Sequence, residues 1–427
     1  RWSLQKGSMI STQLLERAEF IQRRKITPVH YFTSITANYL PKARVLAKSV
    51  KRHDPGAVFF LMLSDRMPEG VKIEDEPFDR VISIDDLGIP DRDAWIFKHT
   101  VVELCTAVKG AALVHIAETT HADKIVYFDP DIAVLHSLDA LSRILEKTSI
   151  ALTPHQVCPD TTYEAIVDNE ICSLKHGIYN LGFLGVRATP EGMRFARWWR
   201  DRLLTLCYDD IPNGLFTDQR WADLVPAFFD DVTIIRDKTY NVATWNLTHR
   251  EVRSDGDGVL TIEGSPIKFY HFSGFDSGDQ KVMLRKYADK NSPLFDLRKW
   301  YIQEMRKEGQ REFGDLPCVY SFYSNGEKIT DTERKVYRSR QDLIAAFPDP
   351  ALVTEDKHCY YWWFRAEFKD PEAALHSVEN PSQGTYNQVM RFLYRHPTLK
   401  NVLKTIWISL SRVTAGIRRL KCVIGMR

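Results

Sequence analysis

Short β-branched and aromatic runs alternate with amphipathic stretches along most of the chain. The first run, VHYFTSI over Val29–Ile35, predicts a strand. A polar turn at Thr36-Ala37-Asn38 and a helix from about Pro41 to Arg52 follow it. Proline is tolerated in a first helical turn because the N–H it lacks has no partner there. His53-Asp54-Pro55-Gly56 breaks the pattern, and apolar runs at Val58–Leu63 and Arg80–Ile84 predict two more strands. Strand, helix, strand at this spacing is the mark of a parallel α/β sheet. Residues 97–118 predict a long helix, or two helices meeting near Gly110. Further strands are predicted over 149–152, 178–187, 232–236 and 267–272, and an amphipathic helix with Trp198 and Trp199 over 190–207. Residues 11–25 predict a short helix that Pro28 ends.

One stretch organises the rest: KIVYFDPDIAVL, Lys124–Leu135. Ile125–Phe128 suits a strand buried on both faces. Pro130 has no N–H and ends ladder pairing there. Asp129 and Asp131 then stand at the carboxyl end of a strand, where open α/β sheets bind ligands. Paired carboxylates suit Mn²⁺ or Mg²⁺. An Asp-Pro turn with two solvated carboxylates is the competing reading. Other polar groups fall at predicted strand ends: Thr33 and Ser34, His155, Asn180 and His271. His271 can bind a metal through a neutral imidazole. Gly182 predicts a bulge or a close backbone approach, and Gly274 would let backbone come near a phosphate. Lys109 reads as an ordinary surface lysine on the residues alone. Thr217 or Asp218 reads as a helix N-cap. No G-x-G-x-x-G follows the first strand, so a dinucleotide site is not supported.

Composition adds compartment and an unusual tail. With 427 residues, 44% apolar and 27% charged, most of the chain is expected to fold as a globule. The seven cysteines are scattered and form no C-x-x-C pair, which argues against a zinc ribbon or a disulfide framework and fits a reducing cytosol. The opening residues carry no signal-peptide apolar stretch, and those before Met9 are set aside from the fold. No apolar run reaches the roughly 18 residues of a spanning helix. All 56 acidic residues lie at or before Glu379, with nine Lys and Arg after it. Leu399, Leu403, Ile406, Leu410, Val413, Ile417, Leu420 and Ile424 recur four and three apart, one helical stripe. A basic amphipathic helix on an anionic membrane surface fits better than a coiled coil, which carries both signs of charge beside its seam. The expected division is 9–285 as the catalytic domain, 286–384 as an extension flanking the acceptor side, and 385–427 as the tail. In the extension, Ser324-Asn325-Gly326 predicts a turn, and CYYWWF at 359–364 predicts core or interface, with an aromatic sugar platform as the alternative. Acidic residues outnumber basic ones, 56 to 49, before the tail, so nucleic-acid binding has little support.

The order of these motifs resembles the GT-A fold glycosyltransferases that use nucleotide sugars, most nearly family eight. The matching segments are FTSITANYL at 32–40, YFDPD at 127–131, Asn180-Leu181-Gly182, Asp218-Gln219 and HFSG at 271–274, covering roughly residues 28–285. The chain departs from the family in having Thr36-Ala37 where an acidic residue is common. It also has Ser277 where a lysine is expected, with Lys281 as a substitute. The resemblance implies a mostly parallel, Rossmann-like sheet flanked by helices. It implies Mn²⁺ (or Mg²⁺) held by Asp129, Asp131 and His271. It implies base and ribose contacts from Thr33, Ser34 and Tyr39, and donor binding by Lys109, Asp129, Gly274 and Lys281. Asn180, Asp218 and Gln219 would line the transferred sugar, with Asp218 facing developing positive charge. Transfer of a hexose from a UDP-sugar, with retention, is the implied reaction; a glycan or lipid-linked acceptor is the expectation drawn from the tail. The cysteine pattern and the basic tail, taken together, lead to the expectation of a cytoplasmic enzyme attached to the inner membrane face. The rival classes are a nucleotidyltransferase, which would want a Gly-rich basic loop after the first strand, and a degenerate nucleotide-sugar-binding protein.

Overall fold

The computed structural model describes residues 27–368. The helix expected at 11–25 and the amphipathic tail lie outside these residues. The chain divides into two compact units. One takes the chain up to Pro90 and Val101–Tyr320; the other takes Asp91–Thr100 and the chain from Ser321.

The first unit is built on a mostly parallel sheet, as expected. Its strands are β1 (Val29–Ile35), β2 (Val58–Leu63), β3 (Arg80–Ser83), β4 (Lys124–Phe128), β6 (Ile150–Pro154), β7 (Tyr179–Arg187) and β8 (Val232–Ile234). They stand in the order β8-β6-β7-β4-β1-β2-β3. All neighbours are parallel except β7, which runs antiparallel to both β4 and β6. Two short strands, β5 (Ile132–Val134) and β9 (Phe269–His271), form a separate antiparallel pair. The run at 267–272 is therefore not a strand of the main sheet. Its polar backbone is satisfied by β5 and by Val242 instead.

Every residue of β4 is buried, as its unbroken apolar run requires. Lys124 is buried with it, and its ammonium reaches Ser142 and Glu146. The helix Leu40–His53 lays Leu46, Ala47 and Val50 into one core with Tyr31 and Phe59. The stretch at 97–118 is two helices, Val101–Ala107 and Lys109–Thr120, meeting at Val108 close to the expected point, and its first residue ends helix Arg92–Phe97, which belongs to the second unit. Gly110 does not break a helix; a Cβ there would lie 2.6 Å from the Arg200 Cα, so it admits close packing of the helix Pro190–Leu206. The first unit also continues past residue 285, through helix Leu294–Lys307, to Tyr320.

The second unit is held by aromatic packing. Phe97 meets Tyr337 and Tyr360 edge-on at 5.2 and 5.3 Å, and Tyr360 is fully buried. The CYYWWF cluster is thus largely core, since Tyr360, Tyr361 and Phe364 face inward. Trp362 of the cluster is exposed. Ser324-Asn325-Gly326 does form a turn, with Gly326 at φ +84°, where a side chain would be strained.

Candidate active site

Pro130 ends β4 and the chain turns, with Ile132 N–H donating to the Asp129 carbonyl at 3.1 Å. The Asp129 N–H donates to the Gly182 carbonyl at 2.8 Å, tying the turn to β7. The β5–β9 pairing then sets His271 opposite Ile132, and Phe272 N–H donates to the Asp131 carbonyl at 2.8 Å. As a result His271 Nε2 lies 3.0 Å from Asp131 Oδ1 and 3.8 Å from Asp129 Oδ2. One ligand atom from each of the three lies within 4.8 Å of the others. Two carboxylate oxygens and an imidazole nitrogen at this spacing form a possible divalent-ion site. Burial pushes the His271 imidazole down, but the Asp131 carboxylate, with help from Asp129, more than offsets it and the net shift is upward. Burial likewise opposes ionisation of Asp131, yet His271, with Lys42 further off, holds its carboxyl below the usual range.

The imidazole is held by packing. His271 Nδ1 is buried with no hydrogen-bond partner among the described residues. A ligating histidine commonly fixes its ring by donating from that nitrogen. Here Trp245 meets the ring edge-on at 5.2 Å. On another side Gly182 comes so close that a Cβ would lie 2.8 Å from His271 Nδ1. The predicted close approach at Gly182 is real, but its partner is this side chain.

A second charged cluster adjoins the first. Lys109 is not a surface lysine: it is 3% exposed, and its ammonium donates to Asp218 Oδ2 at 2.9 Å and Asp129 Oδ1 at 3.2 Å. Tyr127 lies under it, ring centroid 4.2 Å away, and donates its hydroxyl to Asp129 at 2.6 Å. Burial works against the lysine's charge, but the two carboxylates keep its pKa raised. Burial lifts the Asp218 carboxyl above the usual range, helped by the charge of Asp129 and opposed by Lys109. Asp218 is at the N-cap position of helix Gln219–Ala222 but makes no side-chain cap bond. Its other oxygen accepts from the Thr217 hydroxyl at 3.0 Å, with Thr217 in left-handed backbone at φ +43°.

Asn180 and Gln219 are already engaged. Asn180 Oδ1 accepts from Asn241 at 2.9 Å, and its amide nitrogen is 3.1 Å from His155 Nε2. Gln219 accepts from Leu181 N–H at 3.1 Å and donates to the His176 carbonyl at 3.0 Å. It splices the start of β7 to the end of helix Cys172–His176. His155 is half-buried beside Trp245, and the desolvation lowers its pKa to about 4, so it is neutral at ordinary pH.

Asp129, Asp131, His271, Lys109, Tyr127, Asp218, Asn180, Gln219, His155 and Trp245 line one cavity of about 490 Å³ in the first unit, together with Ser34, Tyr39 and Thr36 at the end of β1, while Gly182 and Asn241 are not in its lining. That size suits a small-molecule ligand. Tyr39 and Lys42 both donate to Asp276, joining the end of β1 to the turn after β9. Three expected donor contacts lie elsewhere. Thr33 is fully buried and does not line the cavity; side chains alternate along a strand, and Ser34 takes the open side. Lys281 is exposed on helix Asp279–Tyr287, away from the lining. Gly274 adopts φ +72° to make a tight turn in which its carbonyl accepts from Gln280 N–H at 3.0 Å, and it does not line the cavity either. Tyr127, Asn241 and Trp245 are site residues that the sequence reading missed.

No known family profile matches the chain. It is 23% identical over 251 residues to YfnD, an uncharacterized protein of Bacillus subtilis strain 168, a match spanning 58% of this chain and 78% of that one. It is 31% identical over 99 residues to YfnF of the same organism, spanning 23% of this chain and 33% of YfnF. Among solved structures it is similar to the galactosyltransferase LgtC in complex with donor and acceptor sugar analogues, with 16% identity and a TM-score of 0.35 over 68% of this chain and 97% of that one. It is also similar to the glycosyltransferase GlyE of Streptococcus pneumoniae TIGR4, with 14% identity and a TM-score of 0.36 over 69% and 67% of the two chains.

Proposed function

We propose that the chain is a GT-A type glycosyltransferase that moves a hexose from a nucleotide-diphosphate sugar, UDP being the expected nucleotide, to a glycan or lipid-linked acceptor. The observation that carries this reading is the convergence of Asp129, Asp131 and His271 beside the Lys109–Asp218 pair on one cavity. Asp129, Asp131 and His271 would hold Mn²⁺ or Mg²⁺, which when bound stabilises the negative charge of a diphosphate leaving group. Lys109 orients Asp129 and Asp218 and keeps their charges from repelling one another. Asp218 supplies a fixed negative charge for a sugar centre that turns positive in the transition state. Asn180 and Gln219, bound into the backbone, shape the wall beside it. Ser34 and Tyr39 form the end suited to base and ribose. Retention of configuration belongs to the same reading.

The test is a panel of nucleotide sugars with the full chain and Mn²⁺, followed by nucleotide release. Release with one sugar is expected, with complete loss on chelation. Asp131→Ala should lose about 100-fold or more, with Mn²⁺ affinity measured by calorimetry falling in parallel. Release that survives chelation, or an absence of release with every sugar, would defeat the proposal.

The composition of the tail supports attachment to an anionic membrane surface at the cytoplasmic face. Each Lys or Arg near such a surface contributes about 1 kcal/mol, screened by salt. The full chain should float with anionic vesicles at low salt and be released as salt is raised. Failure to float at low salt excludes this attachment.

A further inference from the structure

The cavity lining is short of positive charge. Among the described residues it holds four aspartates, Asp129, Asp131, Asp168 and Asp218, against one lysine, Lys109, and no arginine. Lys109 already donates to Asp129 and Asp218. A divalent ion on Asp129, Asp131 and His271 would balance only two of these carboxylates. The donor of the reading above brings a diphosphate, a doubly negative group. A cleft of one sign of charge repels an ion of the same sign, so a further cation has to meet that group. Lys281 is not it, since it lies away from the lining.

Lys42 stands one side chain behind the lining. It follows Tyr39 by three residues in the helix Leu40–His53. Its ammonium sits 3.9 Å from the centroid of the Tyr39 ring, and Tyr39 lines the cavity. Its charge is felt at Asp131, whose carboxyl it helps to hold low. The Lys42 side chain is 3% exposed, and a buried ammonium needs an anionic partner. That partner is Asp276, on the turn after β9, whose own side chain is 52% exposed. The Tyr39 hydroxyl donates to the same carboxylate oxygen. The asymmetry decides which group can let go. Asp276 can turn to water, whereas Lys42 has to keep an anion. An incoming phosphate can take the place of Asp276 and leave the ammonium paired throughout. Lysine serves as a point-charge ligand for phosphate elsewhere.

We propose that Lys42 is the cation that binds the donor's diphosphate, and that Asp276 occupies its ammonium until the donor arrives. The identity of the anion rests on the glycosyl-transfer reading above; the exchange of Asp276 for a phosphate does not.

The probe is inorganic pyrophosphate with Mg²⁺, a diphosphate without base or sugar, titrated into the full chain by calorimetry. The unaltered chain should bind it. Lys42→Met should lose about tenfold or more of that affinity, the worth of a hydrogen bond to a charged group. Asp276→Asn should gain about fivefold to tenfold, because the competing carboxylate is gone. A misfolded chain could not show that gain. In the double variant Lys42→Met, Asp276→Asn the gain should vanish, since the two residues act on one another. This arm separates competition for the ammonium from simple loss of a negative charge, which would raise affinity with or without Lys42. The proposal is overturned if pyrophosphate fails to bind the unaltered chain, or if Lys42→Met binds it undiminished. It is also overturned if Asp276→Asn binds no more tightly, or if its gain survives in the double variant. Failure of the glycosyl-transfer reading would show separately, as no nucleotide release in the donor panel.

Discussion

Replacing Lys109 with methionine should cost about 3–5 kcal/mol of folding stability, because it breaks a buried ion pair from one side. Lys109 and Asp218 are 3% exposed each, and their charged atoms stand 2.9 Å apart. Without the ammonium, Asp218 keeps a buried carboxyl with one hydroxyl donor, Thr217. Asp129, only partly buried, still has Tyr127. The carboxyl of Asp218 would then be driven to take up a proton, since burial already lifts it. Urea denaturation of Lys109→Met measures the loss. The double variant Lys109→Met, Asp218→Asn should recover much of it, because the stranded charge is gone. A single variant within about 0.5 kcal/mol of the unaltered chain, a typical surface effect, would mean that the pair does not hold the site together.

The second large effect is expected from Gly182→Ala. A methyl group there would stand 2.8 Å from both His271 Nδ1 and Asn180 Oδ1. No flexible chain end can yield: His271 is wedged against Trp245, and Asn180 is tied to Asn241. The imidazole must swing away from Asp129 and Asp131. Affinity for Mn²⁺ should fall about 10–100-fold, the range typical when a ligand loses its positioning partner. Calorimetry with the metal alone reads this without any assay of turnover. Unchanged affinity would show that His271 is not a ligand, or that its ring is not placed by Gly182.

Much of the fold was legible because buried parallel strands are nearly pure apolar runs. The strands at Val29–Ile35 and Val58–Leu63 have the predicted ends. The Asp129-Pro130-Asp131 turn was legible for a related reason, since proline stops a strand in a recognisable way. Lys109 was not legible. Its burial depends on a carboxylate 109 residues away, and nothing in its own helix announces that. Thr33 shows how little separates two outcomes: in a strand, one step along the chain exchanges cavity for core. The same period offered a signal that went unused, for Tyr127 stands two residues before Asp129 and therefore shares its side. Asn241 lies in irregular backbone, where no period assigns a facing direction, and Trp245 in a short 3₁₀ helix, Thr244–His249, that no apolar period announces.

The antiparallel course of β7 and the late arrival of β9 have a bearing on how the chain is made. Asp129 and Asp131 leave the ribosome long before His271, and Lys109 long before Asp218. Segments of a growing chain organise from the N-terminus onward, and distant pairings form slowly because a long loop must first close. Until synthesis has passed His271, the nascent chain holds the two carboxylates without the imidazole that completes the cluster. Closure of this three-residue cluster thus belongs to the end of folding, and every fragment that stops before β9 is born without His271.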